Sequence, residues 1–180
     1  MSDRDAMQFV VMGVSGTGKS TVGQQVAALL GADLVEGDDY HPPENVAKMS
    51  AGTPLTDDDR LPWLRTLATM MQKRRASGLE TVVTCSALRR SYRDILRGSA
   101  PPDRTEFIHL AGDFEVLWAR MTVRDHFMPA SLLQSQFDTL EDLEPDEHGV
   151  KVDVAPPIED VIRRVRAYLI DHGELAAAPR

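Results

Sequence analysis

The chain has 180 residues, 42% of them hydrophobic and 27% charged, which suits one well-buried globular domain over residues 1–180 rather than a disordered segment. Its formal net charge of -8 argues against a general nucleic-acid binder, so any anion held here must meet locally placed donors. A single cysteine, Cys85, excludes a disulfide framework and a cysteine-based zinc site; the first residues carry no signal-peptide run and no stretch reaches membrane-spanning length, so the expected setting is the cytoplasm, away from the membrane.

In chain order, strand and helix signals alternate. QFVVMG (Gln8–Gly13) is a short apolar run closed by glycine, as a buried parallel strand should be. Val22, Val26, Leu29 and Leu30 then form a helical stripe closed by Gly31. ADLVEGDD gives a second strand with a polar end, and HPP after it stops regular structure. Thr56, with acids behind it, caps a long helix whose inner face is Leu61, Leu64, Leu67, Ala68 and Met71. TVVTCSA is a third strand followed by the helix ALRRSYRDILRG; EFIHLAG is a fourth, followed by DFEVLWARMTVR. A polar segment from Asp125 to Glu147 has only a short helical pattern, around Ser131–Leu140. VKVDV is the fifth strand, and PIEDVIRRVRAYLIDHG closes the chain with Ile158, Val161, Ile162, Val165, Tyr168 and Leu169 facing inward. This alternation predicts a three-layer α/β/α fold around a parallel sheet of five strands, with ligands at the carboxyl ends of the strands.

GVSGTGKS (Gly13, Val14, Ser15, Gly16, Thr17, Gly18, Lys19, Ser20) matches the phosphate-loop pattern G-x-x-x-x-G-K-S/T and lies between an apolar strand and an amphipathic helix, the context the motif requires. The glycines let backbone N–H groups turn inward, and the helix N-terminus adds partial positive charge. Lys19 can reach the β- and γ-phosphates of ATP, Ser20 can ligate Mg²⁺, and Thr21 can donate to the α-phosphate. No N-K-x-D guanine motif is present, and the third strand ends in Thr84, Cys85 and Ser86 rather than the acid of a motor ATPase. The acid near Mg²⁺ must therefore come from the second strand. There, in EGDDYHPPEN, Glu36 and Asp38 can point the same way while Gly37 bends the chain. Glu36 can hold Mg²⁺ through a water, and Asp38 can accept or orient the proton of an attacking hydroxyl. The competing reading is a solvated acidic turn.

EGDDYHPPENVAKMSAGTPLTDDDRLPWL, VVTCSALRRSYRDILR and HFMPASLLQSQFDTLE…EPDE together resemble bacterial-type gluconokinases, from about Phe9 to Val154. The resemblance implies a P-loop kinase fold like that of shikimate and nucleoside-monophosphate kinases, transfer of the ATP γ-phosphate to the 6-hydroxyl of D-gluconate, and a homodimer. A kinase of another small hydroxy acid such as shikimate, or a nucleotide-binding module without turnover, are the alternatives.

Set against that resemblance, Arg60 is either a fork for the gluconate carboxylate or an internal ion-pair partner. Trp63 either walls the sugar-acid site or packs in the core, the latter being the expectation. Arg89 and Arg93 either point back to the substrate or form a solvated helix face, and Ser86 is a candidate cap for their helix. Arg120 and Arg124 share one helix face, where like charges repel unless an anion lies near; both are candidates for nucleotide binding and Arg124 for neutralising the transferring phosphoryl group. The segment at about 125–147 is expected to be a mobile lid, with Asp125 where the family has glycine. His41 either hydrogen-bonds a sugar hydroxyl or fixes the turn. His109 is expected to be a satisfied core residue, His148 and His172 surface residues, and His126 part of the lid; no two histidines have metal-ligand spacing, so the Mg²⁺ carried with ATP is the one metal inferred.

Overall fold

The computed structural model describes residues 6–123 and 129–177. Strands β1 (Gln8–Met12), β2 (Asp33–Glu36), β3 (Thr81–Thr84), β4 (Thr105–Ala111) and β5 (Gly149–Asp153) form one five-stranded sheet in the order β2-β3-β1-β4-β5, every pairing parallel. Parallel neighbours need long crossovers, and helices supply them. α1 (Lys19–Leu30) follows β1; α2 (Pro43–Ser50) and α3 (Asp57–Ala76) follow β2; α4 (Arg90–Arg97) follows β3. α5 (Phe114–Val123) and α6 (Leu133–Thr139) follow β4, and α7 (Ile158–Asp171) ends the chain. α1 and α7 pack on each other and on the sheet, as α3 does with α4 and β3, which gives the expected α/β/α layering.

The middle of each inner strand is apolar because both faces of the sheet are covered. Phe9, Val10, Val11, Val82, Val83, Phe107, Ile108 and Leu110 are fully buried. β1 lies at the centre, with β3 and β4 on either side, so the chain leaves the sheet in opposite directions around its carboxyl end. That is where such sheets open a crevice, and the phosphate loop follows β1 directly.

Three local departures from the expected pattern shape the site. The second strand stops at Glu36, and Gly37–Tyr40 form a 3₁₀ turn. Gly37 presses on β3, where a Cβ would fall on the Thr84 carbonyl oxygen, and its own carbonyl accepts from Trp63 Nε1 at 2.8 Å. Asp38 is thus delivered by a turn, not by strand alternation. The prolines, expected to stop regular structure, instead start α2: Pro43 sits in its first turn, where a missing N–H costs nothing. Ile158, expected inside, is 36% exposed because it borders a groove beside the phosphate loop.

The cap of α3 forms as expected. Thr56 and Asp59 exchange hydrogen bonds in a reciprocal box, and Asp59 also takes Lys48 Nζ at 2.7 and 2.9 Å, tying α2 to α3. Those hydrogen bonds, from Lys48 first and then the Thr56 amide, hold the Asp59 carboxyl down at about 2.

Candidate active site

The phosphate loop is shaped by backbone that side chains rarely adopt: Gly16 and Gly18 have φ of 83° and 87°. Gly13 is required for a second reason, since a Cβ would meet the Leu110 carbonyl oxygen of β4. Thr17 Oγ1 donates to Val14 O at 2.9 Å, and Lys19 Nζ curls back onto the same carbonyl at 3.1 Å. Burial lowers the Lys19 pKa from its ordinary value, opposed by the negative charge of Asp38 foremost.

Beside the loop, Ser20 Oγ donates to Glu36 Oε2 at 3.0 Å, and Thr84 Oγ1 donates to the same oxygen at 2.5 Å. Thr84 Oγ1 also accepts from the Gly37 amide at 3.3 Å, so the end of β3 fixes the carboxylate of β2. In the sequence the acid-free end of β3 served only to exclude a motor ATPase and point to the second strand, yet its threonine is what aims Glu36. The Ser20 hydroxyl and the Glu36 carboxylate are hard oxygen donors at a helix N-terminus. They fit Mg²⁺, which keeps several waters and takes its remaining ligands from phosphate oxygens. Among the described residues no cluster of three or more His, Cys, Asp or Glu offers an all-protein metal cage.

Two spaces flank the loop. On one side Gly16, Thr17, Gly18, Thr21 and Arg120 border an open groove of about 260 Å³ that continues along Val154 and Ile158. Arg120 is held there by Nη2 donating to Val154 O at 2.7 Å. On the other side Ser15, Lys19, Asp38, His41, Arg60 and Trp63 line a small cavity of about 50 Å³, roofed by Leu132, Ser135 and Gln136.

The second cavity is a chain of oriented polar groups. The His41 ring stacks on Trp63 with centroids 4.0 Å apart and planes at 18°. Asn45 Nδ2, an obligate donor, approaches His41 Nδ1 at 3.4 Å while also donating to Asp59 O at 2.9 Å. That assigns Nδ1 as acceptor and leaves the proton on Nε2, which faces Asp38 Oδ1 at 3.7 Å. Burial lowers the His41 pKa, against the pull of Asp38 and with the help of Arg60. Arg60 is 8% exposed, donates to the Tyr92 hydroxyl at 3.3 Å and lies 5.7 Å over the Tyr92 ring. Tyr92 in turn donates to Asp57. Among the described residues Arg60 forms no ion pair, so its charge faces a cavity rather than a carboxylate.

The other arginines divide. Arg93, offered by the sequence as a substrate contact, is fully buried and turned away: all its N–H groups are committed to Glu147 and to the carbonyls of Ala87, Leu88, Glu141 and Asp142. It is a structural residue. Arg89 pairs with Asp57 at 3.2 Å and does not line the cavity. The N-cap of α4 is not Ser86; the Arg90 amide is instead met by the Glu141 carboxylate at 2.7 Å. Glu147, expected at the end of a mobile lid, has a side chain with no exposure, clamped by Arg93 at 2.7 and 2.8 Å and approached by Arg97 at 3.3 Å. Arg124, Asp125 and His126 lie outside the described residues.

Elsewhere His148 and His172 stand at the surface, and Cys85 is buried, its thiol pushed up to about 12 chiefly by burial. His109 is buried as expected, but among the described residues neither ring nitrogen finds a hydrogen-bond partner. Asn45, Thr84, Tyr92, Ser135 and Gln136 were absent from the sequence-derived site. Only Asn45 left a signal, four residues beyond His41 in what proves to be a helix.

A family model for shikimate kinase matches residues 15–148. The thermosensitive gluconokinase of Escherichia coli K12 is 45% identical over 167 residues, covering 90% of this chain and 87% of that protein. The gluconokinase of Gluconobacter oxydans is 48% identical over 166 residues, covering 88% and 91%. This chain belongs to the gluconokinase family, within the shikimate-kinase group of P-loop kinases. The crystal structure of a gluconokinase from Sinorhizobium meliloti superposes on this family member with a TM-score of 0.83 at 50% identity, covering 95% of each chain. No helix among the described residues is long and apolar enough to cross a membrane.

Proposed function

We infer that this gluconokinase-family chain transfers the γ-phosphoryl group of ATP to the 6-hydroxyl of D-gluconate, giving 6-phospho-D-gluconate and ADP. One observation carries the reading: Asp38 and Arg60, which forms no ion pair among the described residues, share a cavity with Lys19 and Ser15 on one side of the phosphate loop. A hydroxy acid needs both, a carboxylate to take its hydroxyl and a cation for its own carboxylate.

The phosphates of ATP lie against the loop amides and Lys19, with the nucleoside side in the groove bordered by Arg120 and Thr21. Ser20 and Glu36 would hold Mg²⁺, which supplies charge neutralisation on the phosphate oxygens when bound. Asp38 accepts the hydrogen bond of the attacking hydroxyl and aims it. The O6–P bond forms as the bond from phosphorus to the bridging oxygen of ADP breaks, and the hydroxyl proton passes to Asp38 and then to water. His41, fixed by Asn45 and the Trp63 face, directs its Nε2 proton at Asp38 and so orients that carboxylate. Arg60 pairs with the gluconate carboxylate. Arg124 supplies further positive charge to the transferring group, and of the region at about 125–147 only the part before Glu141 closes as a lid, since Arg90 and Arg93 hold residues 141–147 to the core. A homodimer and a cytoplasmic setting complete the reading, light scattering being the test of the first.

The deciding assay measures ADP release from ATP and Mg²⁺ against gluconate, shikimate, other sugar acids and nucleoside monophosphates. Gluconate is expected to give the highest kcat/KM. A gluconate rate no greater than the ATP-only blank, alongside turnover of another acceptor, removes the assignment.

A further inference from the structure

The cavity that should take the acceptor holds about 50 Å³, room for a few waters and too little for a six-carbon sugar acid. Among the described residues, a polar and an apolar contact roof it. The carboxamide Oε1 of Gln136, on α6, accepts from the Ser15 amide of the phosphate loop at 2.7 Å. One turn earlier, Leu132 packs with Met49 of α2 and Leu55 as a small apolar cluster separate from the main core. Gln136 and Leu132 therefore pin the same segment, at residues 130–139, over the acceptor side of the loop.

The Ser15 amide is also a group the nucleotide needs. It is one of the N–H donors of a phosphate loop, and it lines the acceptor cavity together with Lys19, whereas Gly16, Gly18 and Thr21 line the opposite groove. An N–H on the acceptor side of the loop faces the terminal phosphate, since that is the group passed across. This part-buried N–H gains from a partner, and Gln136 supplies one when no phosphate is there. An ionised phosphate oxygen forms a hydrogen bond roughly twice as strong as a neutral amide oxygen does, so the phosphate wins the contest.

We propose that Gln136 is a positioning residue that latches α6 over the acceptor cavity through the Ser15 amide, and that the γ-phosphate of ATP releases the latch by taking that amide. Gluconate binding then depends on the terminal phosphate and not merely on a nucleotide. The ADP state, lacking that phosphate, lets Gln136 return and disfavours rebinding of the acceptor. The proposal rests on gluconate being the acceptor.

Isothermal titration of gluconate tests it, using the full chain alone, with Mg²⁺ and ADP, and with Mg²⁺ and a non-hydrolysable ATP analogue. The unmodified chain is expected to bind gluconate about tenfold more tightly with the analogue than with ADP or no nucleotide, an ordinary size of coupling between two sites. Gln136→Ala is expected to raise the nucleotide-free affinity toward the analogue-bound value, shrinking that ratio to about twofold or less. Leu132→Ala, which loosens the same roof without touching the loop, is expected to shift the ratio in the same direction. Equal affinity in all three states of the unmodified chain overturns the latch, as does an unchanged ratio in Gln136→Ala. A uniform loss of affinity in every state of Gln136→Ala also overturns it, marking Gln136 as a plain substrate contact. No gluconate binding in any state refutes the acceptor assignment itself and the latch with it.

Discussion

Replacing Glu147 by Gln tests the reassignment of Arg93 from substrate ligand to buried strut. The two side chains have no exposure and meet through two hydrogen bonds of 2.7 and 2.8 Å. The substitution keeps the shape but removes the charge, leaving Arg93 buried with no anionic partner. Breaking one half of a buried pair costs about 3–5 kcal/mol. Amide oxygen can still accept one of the lost bonds, so the lower end, about 3 kcal/mol, is the expected loss. For a chain of this size that is about 6–12 °C in Tm. Burial alone would raise the Glu147 pKa, but Arg93, the Glu144 amide and Arg90 outweigh it, and the net shift is downward. The wild-type contribution is therefore fully present above the ordinary glutamate range and is lost as pH falls through the depressed folded value; the variant lacks that acid-dependent part. Urea unfolding at neutral pH, with kinetics measured at a temperature where the variant is folded, reads both quantities. The KM for gluconate is expected to stay within about twofold, since all the contacts of Arg93 are internal. A variant of native stability whose gluconate KM rises tenfold or more would refute the argument and return Arg93 to the substrate.

Asp38→Asn is expected to lower kcat by about 10²–10⁴ with little change in ATP affinity, measured by nucleotide titration; undiminished turnover would remove its role. Arg60→Met should raise the KM for gluconate by about 10–100-fold, the worth of a charged hydrogen bond, and leave the KM for ATP alone. Equal effects on both substrates would place Arg60 in general packing. His109 is held at about 4, chiefly by burial, below its ordinary value of 6.5. Unfolding takes up a proton between those values, so stability is expected to fall by about 3 kcal/mol as pH drops from about 6.5 to about 4, with no further loss from this group below. His109→Phe should flatten that part of the stability–pH curve in urea unfolding, and an unaltered curve would show that the ring is not its source.

How much was legible follows from how local each signal is. The phosphate loop is a contiguous motif, so its glycines, Lys19 and Ser20 could be named from spacing, and the Ser20–Glu36 contact lies where strand order would put it. The Thr56 cap needs only its own turn, and it formed as expected. Arginines were the least legible residues, because one side chain suits a ligand, a carboxylate or a set of carbonyls equally well. Arg60 and Arg93 looked alike in the sequence; the carboxylate that decides between them, Glu147, is 54 residues beyond Arg93. Thr84 and Gln136 were invisible for the same reason, acting on partners 48 and 121 residues away.

By itself the sequence determined the order of strands and helices, the phosphate loop and the family, because hydrophobic period, turn chemistry and motif spacing are properties of neighbouring residues. Tertiary structure alone decided that Asp38 arrives on a 3₁₀ turn, that a proline pair opens a helix, and that α6 covers the acceptor cavity. Those outcomes depend on what each backbone segment meets across the fold: Gly37 against Thr84, Asn45 against His41 and Asp59, and Gln136 against Ser15. Pairings over such separations are set by packing of the whole sheet and its helices, which no window of sequence contains.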